Sequence, residues 1–230
     1  MENKKLLEYL QKSSSIAVEN HKEYLLNDNI QIYIKDHITN DINFSDVLNR
    51  LESTIPAHLM SEIDSIFVGV FEDFDDRSIN AMYKDGAIYV SNEQDNIQDM
   101  LDDIVHEIAH SLETPYGGII YGDQKIEKEF AAKRMQLYHI LKSEELNPSL
   151  TLFKDLEYSS AMDEYLYQEV GYERLNFIAA SYGLFASAYA ATSLQEYFAN
   201  GIEHFFLDDR SNLKECCPEL YHKIEELYEL

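Results

Sequence analysis

Ile104-Val105-His106-Glu107-Ile108-Ala109-His110-Ser111-Leu112-Glu113 contains the pattern His-Glu-x-x-His, and its spacing carries a mechanism. On an α-helix, residues four apart lie on one face, so His106 and His110 can aim two imidazoles at one ion. Glu107 stands beside the pair, placed to take a proton from a metal-activated water. The flanks agree with a helix. Ile97, Met100, Leu101, Ile104, Val105, Ile108, Ala109 and Leu112 recur at helical spacing and would bury the opposite side. The helix can start near Ser91, Asn92 or Asp95 and is expected to end by Pro115-Tyr116-Gly117-Gly118. Zinc is the ion this pattern suits. Two histidines on a helix can also be ordinary surface or core residues, and a third ligand separates the two readings.

Strand signals lie immediately upstream. Ile63 to Phe71 reads as a strand, rich in β-branched and aromatic residues. Ala81–Tyr83 and Ala87–Ser91 read as a hairpin around Lys84-Asp85-Gly86, because Asp-Gly is a hairpin turn signal. Strands directly before a metal-binding helix suit a zinc protease, whose edge strand can hold an extended substrate by main-chain hydrogen bonds. Further back, residues 2–27 read as a helix and Ile30 to Ile34 alternates as a short strand after the Asn27-Asp28-Asn29 turn. Asp41 to Ser53 reads as another helix, with Pro56 past its end. The expected organisation is a helical N-terminal region over 1–60 and a catalytic domain over 61–230, or one compact unit.

Downstream, Ile119 to Asp123 reads as a loop and residues 125–142 as a mixed-charge helix. Short helical stretches follow over 148–183, divided by Asn147-Pro148 and Gly171. Ile178 to Ser193 carries no charge and reads as a buried helix with close packing, too rich in hydroxyls for a membrane span. Residues 193–207 return to helical spacing, and Pro218 starts a terminal helix to Leu230. The fold class is α+β, mostly helical, with a small sheet before the His-Glu-x-x-His helix and a helical C-terminal lobe.

Composition bounds the function. The 230 residues are 45% hydrophobic with 17 Tyr and 11 Phe, enough for a core. Lys plus Arg number 18 against 43 Asp plus Glu, a net charge of −25. Such a surface repels nucleic-acid phosphates and anionic membranes and favours basic partners or substrates. Cys216 and Cys217 are adjacent and pair with each other only in strained geometry, so no disulfide framework is implied. The N-terminal residues lack the apolar run of a signal peptide, and the chain reads as a cytoplasmic product that some other route could export. The sequence does not name an oligomeric state.

A catalytic zinc needs three protein ligands and a water. The candidate third ligand lies in Gln195-Glu196-Tyr197-Phe198-Ala199-Asn200, where an acidic residue sits among apolar ones. A carboxylate on the buried side of a helix is costly unless paired or bound to metal. The alternative is an exposed Glu at a helix N-terminus, and Glu203, His204 and Glu113 are rivals to Glu196.

At this point the chain resembles the anthrax-lethal-factor-like zinc metalloproteases, which include the lethal factor catalytic domain and the Pro-Pro endopeptidases. The likeness lies in His106-Glu107-Ile108-Ala109-His110, in Tyr189 seven residues before Glu196, and in Glu196-Tyr197-Phe198-Ala199. Cys217-Pro218-Glu219-Leu220-Tyr221 also looks like the family's C-terminal end. The likeness spans roughly 64–230. The resemblance implies a zincin fold with a cleft between two lobes. It implies His106, His110 and Glu196 as zinc ligands, Glu107 as general base and Tyr189 as hydrogen-bond donor to the transition state. Two departures stand out. The family usually carries a second Glu four residues after the third ligand, where this chain has Asn200. The stretch between His110 and Glu196 is longer than in the relatives, so the family's substrate preference does not carry over.

Three functions follow as expectations. The first is a zinc endopeptidase that cleaves a specific protein or peptide substrate. The second is a regulatory zincin that cleaves a repressor-like partner, with 1–60 as a docking or sensing region. The third is a non-catalytic acidic binding protein, such as a DNA mimic.

Overall fold

The computed structural model describes residues 24–27, 29–39, 42–71, 74 and 79–230. It is α+β and 61% helical, with one small mixed sheet, so the class expected from the sequence is the class observed. The chain divides into two compact units, the first ending at Ile108 and the second beginning at Ala109.

Among the described residues the first unit is built on five strands: β1 (Tyr24–Leu26), β2 (Ile30–Ile34), β3 (Ser65–Gly69), β4 (Ala81–Lys84) and β5 (Ala87–Ser91). Their order is β1-β2-β3-β5-β4. The β2/β3 and β3/β5 pairs are parallel, and the two outer pairs are antiparallel. Period-two alternation sorts the side chains. Ile32, Ile66 and Ile88 align across the three central strands and are buried. On the other face Tyr33, Phe67 and Tyr89 align and stack, with ring centroids 4.9 and 5.3 Å apart. The β4–β5 turn is Asp85-Gly86 with φ of 49° and 81°, the left-handed pair that a two-residue hairpin requires. Helix α1 (Phe44–Thr54) is capped by Asn43, whose Oδ1 accepts the Ser45 N–H at 3.2 Å, and it buries Phe44, Val47, Leu48 and Leu51.

The expected helix over 2–27 lies outside the described residues as far as residue 23, and Tyr24–Leu26 is strand instead. Asn27 adopts φ of 51°, a conformation asparagine tolerates, and turns the chain so that Leu26 pairs with Ile30. Apolar spacing at 25 and 26 is common to both periods. The turn decides between them.

Helix α2 (Ile97–Ile120) carries the His-Glu-x-x-His stretch. Its cap is Asn96, whose Oδ1 accepts the N–H groups of Gln98 and Asp99 at 2.7 and 3.2 Å. It does not stop at Pro115 as expected but runs through Pro115, Tyr116, Gly117 and Gly118 to Ile120. A proline inside a helix costs about 3 kcal/mol. Burial of Ile120 and anchoring of the following residue, Tyr121, offset that cost.

The second unit is helical. Its elements after α2 are α3 (Lys125–Ser143), α4 (Leu150–Lys154), α5 (Ser160–Glu164), a π-helical stretch (Tyr165–Val170), α6 (Tyr172–Tyr182), α7 (Leu194–Leu207), α8 (Arg210–Cys216) and α9 (Pro218–Tyr228). The uncharged run 178–193 is not one helix. Gly183 ends α6 at φ of 60°, and a short 3₁₀ turn, Tyr189–Ala191, precedes α7. Helix α8 has no counterpart in the sequence reading. Asp209 caps it by accepting the Ser211 N–H at 2.9 Å.

Two polar side chains of α3 organise this unit. Glu129 accepts the Tyr197 hydroxyl of α7 at 2.7 Å and the Glu219 and Leu220 N–H groups at the start of α9 at 3.0 and 3.2 Å. It joins three helices and satisfies N–H groups that a helix start leaves open. Arg134 is fully buried, donates to the Leu152 and Thr192 carbonyls at 2.7 and 3.4 Å, and lies against Phe130 and Phe153. Burial lowers its guanidinium pKa to about 10, so it remains a cation at neutral pH. Gly201 of α7 meets Leu220 of α9 so closely that a Cβ there would lie 2.6 Å from Leu220 Cδ2.

Replacing Glu129 by alanine removes an acceptor from three donors at once. Urea unfolding is expected to show a loss of about 2–3 kcal/mol, with Glu129→Gln losing less because it keeps an acceptor oxygen.

Candidate metal centre

The burial of α2 fixes which way its polar residues face. Met100, Leu101, Ile104, Val105, Ala109 and Leu112 are fully buried and Ile108 nearly so. His106 and His110 stay partly exposed, one helical turn apart. Glu107 is 8% exposed, and its Oε2 accepts the Tyr83 N–H at 2.6 Å. Tyr83 belongs to β4, one of the two edge strands of the described sheet. The Glu107 carboxylate is therefore held by a main-chain donor.

Glu196 comes from the start of α7. Ser193 caps this helix, its hydroxyl accepting the Glu196 N–H at 3.1 Å. Ser193 is fully buried, so the cap and the residue three positions on are fixed together. Glu196 Oε1 lies 3.8 Å from His110 Nε2. One ligand atom from each of His106, His110 and Glu196 falls within 4.8 Å of the others.

With one donor atom of each within 4.8 Å of the others, this group could hold a metal ion. Two imidazole nitrogens and a carboxylate oxygen are common zinc donors, and His106, His110 and Glu196 are the residues that would hold the ion. The second nitrogen of His110 is already engaged. Its Nδ1 lies 2.7 Å from Glu113 Oε1, and the other oxygen, Glu113 Oε2, accepts the Tyr121 hydroxyl at 2.8 Å.

The rivals to Glu196 are placed elsewhere. Glu113 contacts the far edge of the His110 ring, His204 pairs with Asp208 at 2.7 Å, and Glu203 accepts the Asn200 side-chain N–H at 3.2 Å. Asn200 is 5% exposed and passes its contact to a carboxylate, while its own Oδ1 is buried without a hydrogen-bond partner.

Tyr189 opens the 3₁₀ turn before α7 and is 37% exposed. Its ring meets Tyr172 edge to face at 6.5 Å, and the Tyr172 hydroxyl donates to Asp163 at 2.8 Å. Burial first, and then the Glu196 charge, raise the Tyr189 pKa well above that of a free phenol, so its hydroxyl stays protonated. Tyr121 is shifted the same way by burial and by Glu113. Tyr121 lies in a stretch that reads from the sequence as a loop, with no signal for a role. Glu113 reads there only as a rival ligand, although its three-residue step from His110 puts both on one helix face.

Comparison with known protein families, curated proteins and solved structures finds no match to this chain.

Metal analysis of purified protein after zinc reconstitution is expected to give about one zinc per chain, with affinity sharply reduced in His106→Ala and Glu196→Ala. Because zinc would bind the folded chain alone, a free concentration 100-fold above Kd should stabilise it by about 2.7 kcal/mol, read as a higher melting temperature. Glu196→Ala should lose that increment.

Proposed function

We propose that the chain is a zinc-dependent endopeptidase acting on a protein or peptide, with a zincin-like arrangement around His106, His110 and Glu196. The observation that carries this reading is the meeting of Glu196 with the His106–His110 pair, in the order of donors that the two sequence motifs imply. A zinc ion there would supply the Lewis acidity that makes water a nucleophile near neutral pH.

The chain's own residues account for the remaining chemistry. Glu107 takes the proton of the attacking water and delivers it to the leaving amine. Its hydrogen bond from Tyr83 fixes one carboxylate oxygen and leaves the group anchored as it exchanges a proton. Tyr189, protonated and partly exposed, donates to the oxyanion that develops at the scissile carbonyl. An extended peptide would align on the outer edge of β4 through main-chain groups other than the Tyr83 N–H, which Glu107 takes.

The net charge of −25 supports a basic substrate, whose approach such a field would speed. A second reading, an acidic binding protein, draws support from a depression of about 680 Å³ in the first unit lined by Glu93, Asp95, Asp99, Asp102 and Asp103. A basic peptide suits it. No described helix is long and apolar enough to cross a membrane.

Digestion of a peptide library by the zinc-loaded protein, followed by mass spectrometry, tests the proposal. Glu107→Gln is expected to keep zinc and lose cleavage, and Tyr189→Phe to cut kcat by about 10²–10³. Near-wild-type cleavage by Glu107→Gln would overturn the assignment of the base. Absence of any cleavage by the zinc-loaded wild type, together with salt-sensitive binding of a basic peptide, would favour the acidic binding protein.

A further inference from the structure

We infer that Glu113 and Tyr121 are positioning residues for His110, a half-buried relay that presents the histidine's Nε2 to the metal. The inference rests on the metal-site reading above and adds residues that neither sequence motif includes.

The relay is defined by contacts within the second unit. His110 Nδ1 is 2.7 Å from Glu113 Oε1. A carboxylate can only accept, so Nδ1 is the donating nitrogen, and in the neutral imidazole that ligation requires the lone pair then resides on Nε2. Nε2 is also the atom that faces Glu196, at 3.8 Å. The hydrogen bond thus selects both the tautomer and the ring orientation that ligation needs. Without it, rotation of the imidazole or a proton on Nε2 would withdraw the donor.

Tyr121 completes the constraint. Its hydroxyl donates to Glu113 Oε2 at 2.8 Å, so the two carboxylate oxygens are held by different partners and the group cannot swivel. The Tyr121 ring also meets Phe198 edge to face, with centroids 6.3 Å apart. Phe198 lies two residues beyond Glu196 on α7. One tyrosine therefore braces the support of His110 against the helix that supplies Glu196.

The relay also gives a reason for the run of α2 past Pro115. A helix ending at Pro115 would leave residues 116–121 free to depart. Continuing to Ile120 brings Tyr121 back beside Glu113, with the Tyr121 N–H donating to the Gly117 carbonyl at 2.9 Å. Glu113 also serves poorly as a metal ligand in this arrangement, because it occupies the opposite edge of the imidazole from Nε2.

The test compares the full chain with Glu113→Ala, Glu113→Gln, Tyr121→Phe and the Glu113→Ala/Tyr121→Phe pair. Zinc Kd is measured by competition with a chromophoric chelator, the site geometry by the visible spectrum of the cobalt-substituted protein, and the metal-free fold by thermal melting. Glu113→Ala is expected to weaken zinc binding by about 10–100-fold and to shift the cobalt bands. Glu113→Gln keeps an acceptor for Nδ1–H and should recover part of the loss. Tyr121→Phe should show a smaller loss in the same direction, and the double variant no more than Glu113→Ala, because the tyrosine acts through the carboxylate. Wild-type zinc affinity and an unchanged cobalt spectrum in Glu113→Ala would overturn the relay while leaving the three-ligand site standing. Weakening that merely follows a fall in metal-free melting temperature would also overturn it. A wild type that binds no zinc would instead overturn the metal-site reading and the relay with it.

Discussion

The burial of one face of α2 is the constraint on which the candidate site depends. Met100, Leu101, Ile104, Val105 and Leu112 are removed from water, at roughly 1.5–3 kcal/mol for each large side chain. Rotating the helix by one residue, about 100°, would expose several of them and bury the imidazoles instead. The helix is therefore held in the one rotation that keeps His106 and His110 partly accessible and puts Glu107 under the edge strand. The precision of the polar groups is inherited from the apolar ones.

The approach of Glu196 needs a second constraint, because it comes from a distant part of the chain. Arg134 grips the carbonyls of Leu152 and Thr192, and Ser193 then caps α7. Glu129 fastens Tyr197 of the same helix to the start of α9. Removing one member of such a network leaves buried donors unsatisfied, which costs more than the bond itself contributes. These are polar anchors inside an otherwise apolar unit, and together they fix Tyr189 and Glu196 on either side of Ser193.

Around the site the chain gathers acidic groups. Glu113 and Glu196 both approach His110, and the charges of Glu157 and Glu196 are both felt at Tyr121. Gathering like charges in a half-buried place works against folding unless something offsets it. Hydrogen bonds from Tyr121 and from the His110 ring offset part of the cost, and a divalent cation would offset more. Under the proposed function the same field would suit a basic substrate, so metal affinity and substrate preference would draw on one electrostatic source.

Sequence alone determined the features that are local in origin. Four-residue spacing put His106 and His110 on one face, period-two alternation marked Ile30–Ile34, β-branched and aromatic residues marked the strand within 63–71, and Asp85-Gly86 announced its hairpin. Each depends on backbone geometry that a few neighbouring residues dictate. The tertiary structure decided what local signals leave open. Leu25 and Leu26 fit helix and strand alike, and pairing with β2 made them strand. Pro115 signals a helix end, yet contacts of Ile120 and Tyr121 carry the helix past it. Uncharged residues 178–193 favour burial without specifying a period, and the αL conformation of Gly183 breaks them. The choice among Glu196, Glu203, His204 and Glu113 belongs to this second class. All four lie at plausible spacings, and only the packing of α7 shows that Glu196 faces His110 Nε2, whereas Glu113 reaches the far edge of the ring by its three-residue step along α2.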